Sequence, residues 1–547
     1  MAAAAPAAPR RGGLAFPIVG VFLALLVAGP LLALPASFIG EGEALDSIAA
    51  SLLPEALRNS AVLAAGVGAG TLCLGGLLAA LVTFYDFPGR RWLEWALVLP
   101  MAMPAYVLVF VLLGQYDADS AVQDVVHTLF GDGATLPEIR STAGTIIVLT
   151  ACLYPYVYVM GRTAFEAQTR ETLEAARTLG LSHARAIRRV ALPLARPALA
   201  AGTALAVMEA LADFGAVNLL GYRAMTDAIY RVWYGAFDRS AALQLATVLV
   251  CFAAGLVILE RYLRSRARYQ QALVRGEAMT PRRLRGWRGL AAAVLPVTVV
   301  ALVVVAPLVQ LVLWSGSWLA EGSSLEALTR AALNSVMLAS LAAVLAAAAA
   351  TVIAYGHRAR VGSRAGSDRI GAAAARAATL GYAVPGTVVA VAVYGPLSWL
   401  EKQVDGVADV GLFLTGSVVG LLLAYLVRFQ ALALFSVEAR LGAIGPELDE
   451  AARGLGADRA RVFADVHFPL LWPGIVTAAL LVFVETLKEL PATALLRPLG
   501  GDTLAITVWE ATKDSRFDTA ALPALLIVLI GLIPIALLLR RGRSLML

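Results

Sequence analysis

The chain has 547 residues, 60% of them hydrophobic and 15% charged, with a formal net charge of +6 at pH 7. A soluble domain carries about a quarter charged residues, so this composition, with a mean hydropathy of +0.77, excludes a protein of mostly soluble mass. The excess positive charge is no nucleic-acid signal either, because it sits in loops between long apolar runs.

A bilayer-spanning helix takes about 20 mostly apolar residues, and by that measure the chain predicts about twelve spans. The first set covers 14–37, 59–84, 92–113, 142–162, 197–220 and 241–263; the second covers 289–314, 333–355, 371–397, 411–436, 473–496 and 519–540. These runs are continuously apolar rather than alternating, which argues against spanning β-strands. The expected fold is an all-α polytopic membrane protein.

Arg10 and Arg11 before the first run, with Pro35 and Ala36 after it, imitate a signal peptide. The run is too long for a signal's apolar region, so it reads as a retained first helix. The next loop is acidic, with Glu41, Glu43 and Asp46; the loop after the third span carries Asp117, Asp119, Asp124 and Asp132. Arg261, Arg264, Arg266, Arg268, Arg275, Arg282, Arg283, Arg285 and Arg288 crowd the segment after the sixth span, and Arg540, Arg541 and Arg543 follow the last. Basic loops stay cytoplasmic. Both termini and the 264–288 linker are therefore expected in the cytoplasm, together with the loops around 174–197 and 450–473.

The third span of each set carries a central proline, in LPMAMPAYVLVF (99–110) and LGYAVPGTVVAV (380–391). Tyr154, Tyr156 and Tyr158 alternate in the fourth span and suit an interfacial or packing role. Cys73, Cys152 and Cys251 lie inside apolar runs and read as small hydrophobes, with no disulfide framework. His127, His183, His357 and His467 are placed in loops, and none pairs with another in mid-span as haem ligation requires. No nucleophile triad or metal-hydrolase spacing occurs, so no catalytic residue, metal site or cofactor is expected.

One charged loop occurs twice. EAARTLGLSHARAIRRVALPLARP (174–197) and EAARGLGADRARVFADVHFPLLWP (450–473) align at a constant spacing of 276, pairing Glu174 with Glu450, Gly180 with Gly456, Pro193 with Pro469 and Pro197 with Pro473. The repeat extends outward, through LRNSAVLAAG (57–66) with ALNSVMLASL (332–341) and MEALADFGAV (208–217) with VETLKELPAT (484–493). Residues 1–263 and 289–547 are thus two copies of a six-helix unit joined by the Arg-rich stretch 264–288. An even number of spans per copy gives both copies the same orientation, a parallel repeat about an axis along the membrane normal.

Each loop reads as helix, tight turn, helix. Gly180 and Gly456 suit a left-handed helix end. Ser182 and Asp458 stand where the second helix needs an N-cap. Pro193 and Pro469 are expected to end that helix, and Pro197 and Pro473 to open the next span. Ala175 and Ala176, like Ala451 and Ala452, give the first helix a small-residue face. One reading is an amphipathic helix on the anionic inner leaflet, which Arg185, Arg188, Arg189 and Arg196 suit. The other, favoured by exact duplication of spacing, is a pair of docking points for a partner with two equivalent subunits.

The EAA pattern, a following Gly and a later Leu-Pro or Phe-Pro resemble the signature loop of ABC importer permeases. KELPATALLRP (488–498) with ALADFGAV (210–217) resembles the fused two-half permeases of ferric-iron importers; thiamine permeases are fused in the same way. The resemblance implies two tandem six-helix permease halves in a bacterial inner membrane. It implies two cytoplasmic ATPase subunits gripping coupling positions at Glu174, Ala175, Ala176, Gly180, Glu450, Ala451, Ala452 and Gly456. It also implies a periplasmic binding protein that selects the cargo and docks on outer loops such as 114–141. The motor is expected elsewhere: a phosphate-binding loop needs Gly-Lys followed by Ser or Thr, and none of Lys402, Lys488 and Lys513 follows a glycine.

Glu209 and Asp213 are four residues apart on the fifth span, and Glu485 and Glu489 repeat them on the eleventh. Charge at this depth faces a cavity or a partner. Four carboxylates could line a cation path, since ferric ion is hard and prefers oxygen. They could equally be structural, with Lys488 paired to an acid and the others anchoring the bend at Gly215 and Pro491. A rival from another class, an ion-coupled secondary transporter, would use the same four acids as proton sites and need no partner.

Overall fold

The computed structural model describes residues 15–32, 34–35, 52–117, 120–131, 134, 136–168, 170–265, 281–320, 325–358, 365–408 and 414–544. Arg10, Arg11, Glu41, Glu43, Asp46, Asp119, Asp132, Arg266, Arg268 and Arg275 lie outside the described residues.

The first half supplies α1 (Ala15–Leu32), α2 (Leu53–Phe84), β1 (Tyr85–Asp86), α3 (Arg90–Ala96), α4 (Ala105–Gln115), α5 (Ala121–Phe130), α6 (Thr142–Glu166), α7 (Arg170–Thr178), α8 (His183–Ala212), α9 (Gly215–Leu219), α10 (Met225–Tyr234) and α11 (Arg239–Ser265). The second supplies β2 (Arg282–Arg283), α12 (Trp287–Ala320), α13 (Glu326–Arg358), α14 (Ala365–Ala378), α15 (Gly386–Ala408), α16 (Val418–Gly442), α17 (Pro446–Gly454), α18 (Val462–Leu487), α19 (Pro491–Leu496), α20 (Leu504–Lys513) and α21 (Phe517–Ser544). Among the described residues, 8 helices are long and apolar enough to cross a membrane, or up to 10 if each of two bent pairs is one span. Two shorter apolar helices, Ile18–Leu32 and Phe517–Ile533, fall on the first and last expected runs.

The chain forms two compact units: Met1–Ile39 with Leu333–Gly501, and Gly40–Ala332 with Asp502–Leu547. The sequence repeat and the contact units therefore group the helices differently. In the larger unit α2, α6 and α8 pack against one another, and α21 packs on α12 and α20. In the smaller unit α16 packs on α18, and α1 lies against α14, α15 and α16. The end of the basic linker is pinned within the larger unit: β1 and β2 pair in parallel, Tyr85 opposite Arg282, and Leu284 N donates to Asp86 O at 2.8 Å.

Proline breaks the third span of each half. Arg90–Ala102 and Ala105–Gln115 meet at 92°, and Ile370–Tyr382 and Gly386–Val404 at 120°. The ring of a proline forces its predecessor out of the helical region: Met103 has φ −94°, ψ 114° and Val384 φ −104°, ψ 130°. Such a break leaves carbonyls without partners, and a bilayer offers no water to satisfy them. Two tyrosines of α6 answer this need. The Tyr154 and Tyr158 hydroxyls donate to Leu97 O and Glu94 O, both at 2.9 Å, and both rings are fully buried.

Several expectations change. Pro193 and Pro469 do not end a helix; each lies near the start of a long spanning run. Just before each proline the chain forms a π-turn, Ile187–Ala191 and Val462–His467. There Leu192 N bonds Ile187 O and Phe468 N bonds Phe463 O, one residue farther back than in an α-helix. The widened turn lets the helix pass a ring that cannot donate. The runs 197–220 and 473–496 are not single helices: α8 stops at Ala212 and α18 at Leu487, and short helices α9 and α19 follow. The four histidines lie in helical segments rather than loops: His127 in α5, His183 opening α8, His357 near the end of α13 and His467 in a π-turn.

Tyr154→Phe removes the hydroxyl that meets Leu97 O while keeping the ring. We expect a loss of about 1 kcal/mol of stability, with Tyr158→Phe adding a similar amount, read by denaturant titration in micelles. Unchanged midpoints in both variants would show that the broken carbonyls find other partners.

Candidate functional site

The repeated loops share one local geometry. Gly180 and Gly456 occupy left-handed backbone, φ 87° and 84°, directly after α7 and α17. Side chains strain there, which is why the turn needs glycine. Gly180 N and Gly456 N each bond the carbonyl three residues back, Arg177 O and Arg453 O at 2.9 Å. Leu181 N and Ala457 N reach back five residues, to Ala176 O at 3.2 Å and Ala452 O at 3.0 Å; these two bonds close a Schellman turn. Asp458 caps the following turn by accepting from Arg461 N at 2.9 Å. Ser182 has N-cap backbone angles but makes no side-chain cap bond.

Glu174, Ala175, Glu450 and Ala451 are exposed, Ala452 is half-buried and Ala176 is buried. Leu179 and Leu455, one residue before each glycine, are 85% and 89% exposed. Each loop thus offers acid, small residue and leucine on its outer surface, at the same relative positions.

The acids expected near the membrane have local partners. Asp213 accepts from Ala216 N at 2.8 Å and Val217 N at 3.4 Å, so it caps α9 across the break after α8. Glu489 does the same for α19, accepting from Ala492 N at 3.0 Å. Glu489 also pairs with Arg428 at 3.2 Å and is 5% exposed. Glu485 pairs with Lys488 at 2.8 Å. Glu209 is half-buried on α8. Glu209 and Asp213 belong to the larger unit, Glu485 and Glu489 to the smaller one.

Sequence reasoning missed Arg428, a lone charge in the middle of the apolar α16. A single cation in the run LLLAYLVRFQALALF was the available signal. The space for its pair comes from Gly386, because a Cβ there would collide with both Arg428 and Glu489. Sequence reasoning also missed α10 and α20, the helices after the breaks. Within the larger unit Asn218 Nδ2 donates to Asp227 at 2.8 Å and Trp509 Nε1 donates to Asn218 Oδ1 at 3.1 Å. Arg231 completes this network at 2.7 Å from Asp227. Burial pushes the Asp227 carboxyl above the ordinary carboxylate range, against the opposing pull of Asn218 and Arg231. Along α2, α8 and α11 runs a groove of about 1440 Å³ whose wall is almost wholly apolar, with Arg188 and Arg196 among its lining residues. Among the described residues, no group of three or more His, Cys, Asp or Glu gathers as a metal site.

Residues 72–269 and 360–542 each match the family described as binding-protein-dependent transport system inner membrane component. The chain belongs to that family. It is a multi-pass inner-membrane component and the permease subunit of an ABC importer. The permease is not itself an enzyme; ATP hydrolysis lies in a separate subunit. It is 26% identical over 539 residues, 97% of its length and 99% of the relative's, to an Fe(3+)-transport system permease protein of Haemophilus influenzae. A probable molybdenum ABC transporter permease protein of Haloferax volcanii is 30% identical over 43% of the permease and 88% of its own length. A sulfate transport system permease protein of Salmonella typhimurium is 31% identical over 34% of the permease and 66% of its own length. The double match bears out the tandem-permease fold and the importer class.

The buried Arg428–Glu489 pair of the permease gives a direct test. Arg428→Met leaves a carboxylate buried without its cation and should cost about 3–5 kcal/mol, whereas Arg428→Met with Glu489→Gln should recover most of it. Denaturant titration of the purified variants reads both. Equal losses in the single and double variants would mean that Glu489 does not depend on Arg428.

Proposed function

We propose that this permease moves ferric iron into the cytoplasm, driven by two ATPase subunits that grip α7 and α17 and supplied by a periplasmic binding protein. The observation that carries the reading is the pair of loops at a spacing of 276, each ending in a left-handed glycine with an exposed leucine beside it. Two matched handles suit a motor of two equivalent subunits. The arginines of the linker and of both loops put this face in the cytoplasm by the distribution of basic residues. The acidic loops, including 114–141, then face the binding protein.

Iron as cargo is supported by the likeness to a ferric permease over nearly the whole chain. Its chemistry suits carboxylate oxygen along the path. Asp213 and Glu489 shape the path by holding α9 and α19 across the two breaks. Within each half one further acid is assigned to the cargo path, Glu209 on α8 and Glu485, beside Lys488, on α18. ATP binding draws the motor subunits together, the handles follow, and the halves rock to alternate access. A proton-coupled transporter would need freely titrating acids at all four positions, and the capping roles of Asp213 and Glu489 tell against it.

Uptake of radiolabelled iron by vesicles holding permease, ATPase and loaded binding protein tests the reading. Uptake should follow ATP and persist when the proton gradient is collapsed. Gly180→Val with Gly456→Val strains each left-handed turn by about 1–2 kcal/mol, and should cut uptake and ATPase co-purification together. Uptake that stops with the gradient while ATP is maintained would favour the secondary transporter. Uptake of thiamine or a phosphonate in place of iron would correct the cargo alone.

Glu209→Gln with Glu485→Gln should lower iron uptake about tenfold or more while the ATPase stays bound, since losing even an outer-shell partner of a metal ligand costs about that much. Wild-type uptake in this variant would discard the carboxylate path.

A further inference from the structure

The two loops are held to their membrane helices by different chemistry. In the second half, Asp449 lies in the first turn of α17, next to Glu450. Arg358, the last residue of α13, places Nη2 2.8 Å from Asp449 Oδ2. The same guanidinium donates through Nη1 to Leu441 O at 2.8 Å and Ile444 O at 2.9 Å, carbonyls at the end of α16. His467, at the end of the π-turn that opens α18, places Nε2 2.8 Å from Asp449 Oδ1 and is 2% exposed. Tyr355 packs edge-on to His467 with ring centroids 5.4 Å apart. One carboxylate thus ties α17 to α13 and α18, and through Arg358 to the foot of α16. The planar fork of an arginine holds a carboxylate and two carbonyls in one fixed geometry, where a lysine is a compact point charge.

The first half has no charge at the matching places. At the spacing of 276, Leu173 stands for Asp449 and Ala191 for His467; aligning Asn59-Ser60 with Asn334-Ser335 puts Thr83 opposite Arg358. All three are buried. Leu173, Ala176 and Ala191 belong to one apolar cluster with Phe84 and Phe165, whose rings lie 5.1 Å apart. The Gln168 amide adds a polar tie, Nε2 donating to Ala191 O at 3.0 Å.

We propose that Asp449 is the positioning residue through which α17 drives the membrane helices of the second half, an ionic joint where the first half uses an apolar one. The proposal rests on the coupling function given above and names how one handle is fastened. Apolar packing is non-directional, whereas a carboxylate gripped by the Arg358 guanidinium, with the His467 ring close against its other oxygen, is fixed in both direction and distance. The two handles therefore transmit the same motor stroke with different stiffness.

The test uses a spin label on Leu455→Cys or Leu179→Cys in the full permease with Cys73, Cys152 and Cys251 replaced by Ala. Asp449→Asn should mobilise the label at 455 and leave the label at 179 unchanged. In the assembled transporter it should lower solute moved per ATP about three- to tenfold, the range in which relay contacts act, with the ATPase still bound. Asp449→Glu, which keeps the charge, should restore an immobile label and most of the coupling. Arg358→Gln alone should mobilise the label at 455 as well, and Arg358→Gln with Asp449→Asn should lose less than the sum of the two single effects. An unchanged label in Asp449→Asn, a mobile label with normal transport per ATP, or equal effects of Asn and Glu would each overturn the proposal. If wild-type permease fails to hold the ATPase, the coupling function falls instead, and the label still decides whether Asp449 holds α17.

Discussion

A lipid bilayer cannot hydrate a broken helix, and that constraint organises this protein. Its chain breaks spanning helices at Pro104, after Ala212, at Pro385 and after Leu487. Each break exposes backbone groups that must find partners within the protein. Tyr154 and Tyr158 serve the first, Asp213 the second and Glu489 the last. Side chains that look like chemistry in the sequence are in large part the fasteners of irregular backbone. An importer needs such breaks, because irregular backbone is where a path through helices can be shaped.

The repeat explains how far the fold could be read from sequence. Hydropathy located the spans, because twenty apolar residues have few alternatives. The constant spacing of 276 located the loops, and Gly180 and Gly456 have the left-handed backbone that their position after EAA implied. What stayed hidden depends on contacts distant in sequence. Nothing local to Asp449 announces Arg358, ninety-one residues away. Nothing near Pro193 or Pro469 distinguishes a helix end from a π-turn that carries the helix past the ring. α10 and α20 were missed because short amphipathic helices lack the apolar length that made the spans visible. Arg428 carried a visible signal, a single charge in mid-span, and Gly386 shows why the neighbouring sequence tolerates it.

Duplication has preserved backbone geometry better than side-chain chemistry. Both halves keep the proline break, the turn glycine, the π-turn and the short capped helix after the fifth span. They differ in what fills the matching positions: Cys152 against Arg428, Leu173 against Asp449, Ala191 against His467. A homodimeric ancestor would have been bound to one solution on both sides. Fusion into one chain lets one half carry charge at positions where the other keeps apolar residues, and lets the two handles respond differently to one motor.

The central claim is that force enters through the two exposed loops. Photo-crosslinking groups placed at Leu179 and at Leu455 in the assembled transporter test it most directly. The account predicts that each position captures an ATPase subunit and that capture at both sites yields a permease carrying two. Capture of lipid alone, or of the ATPase at neither position, would contradict it.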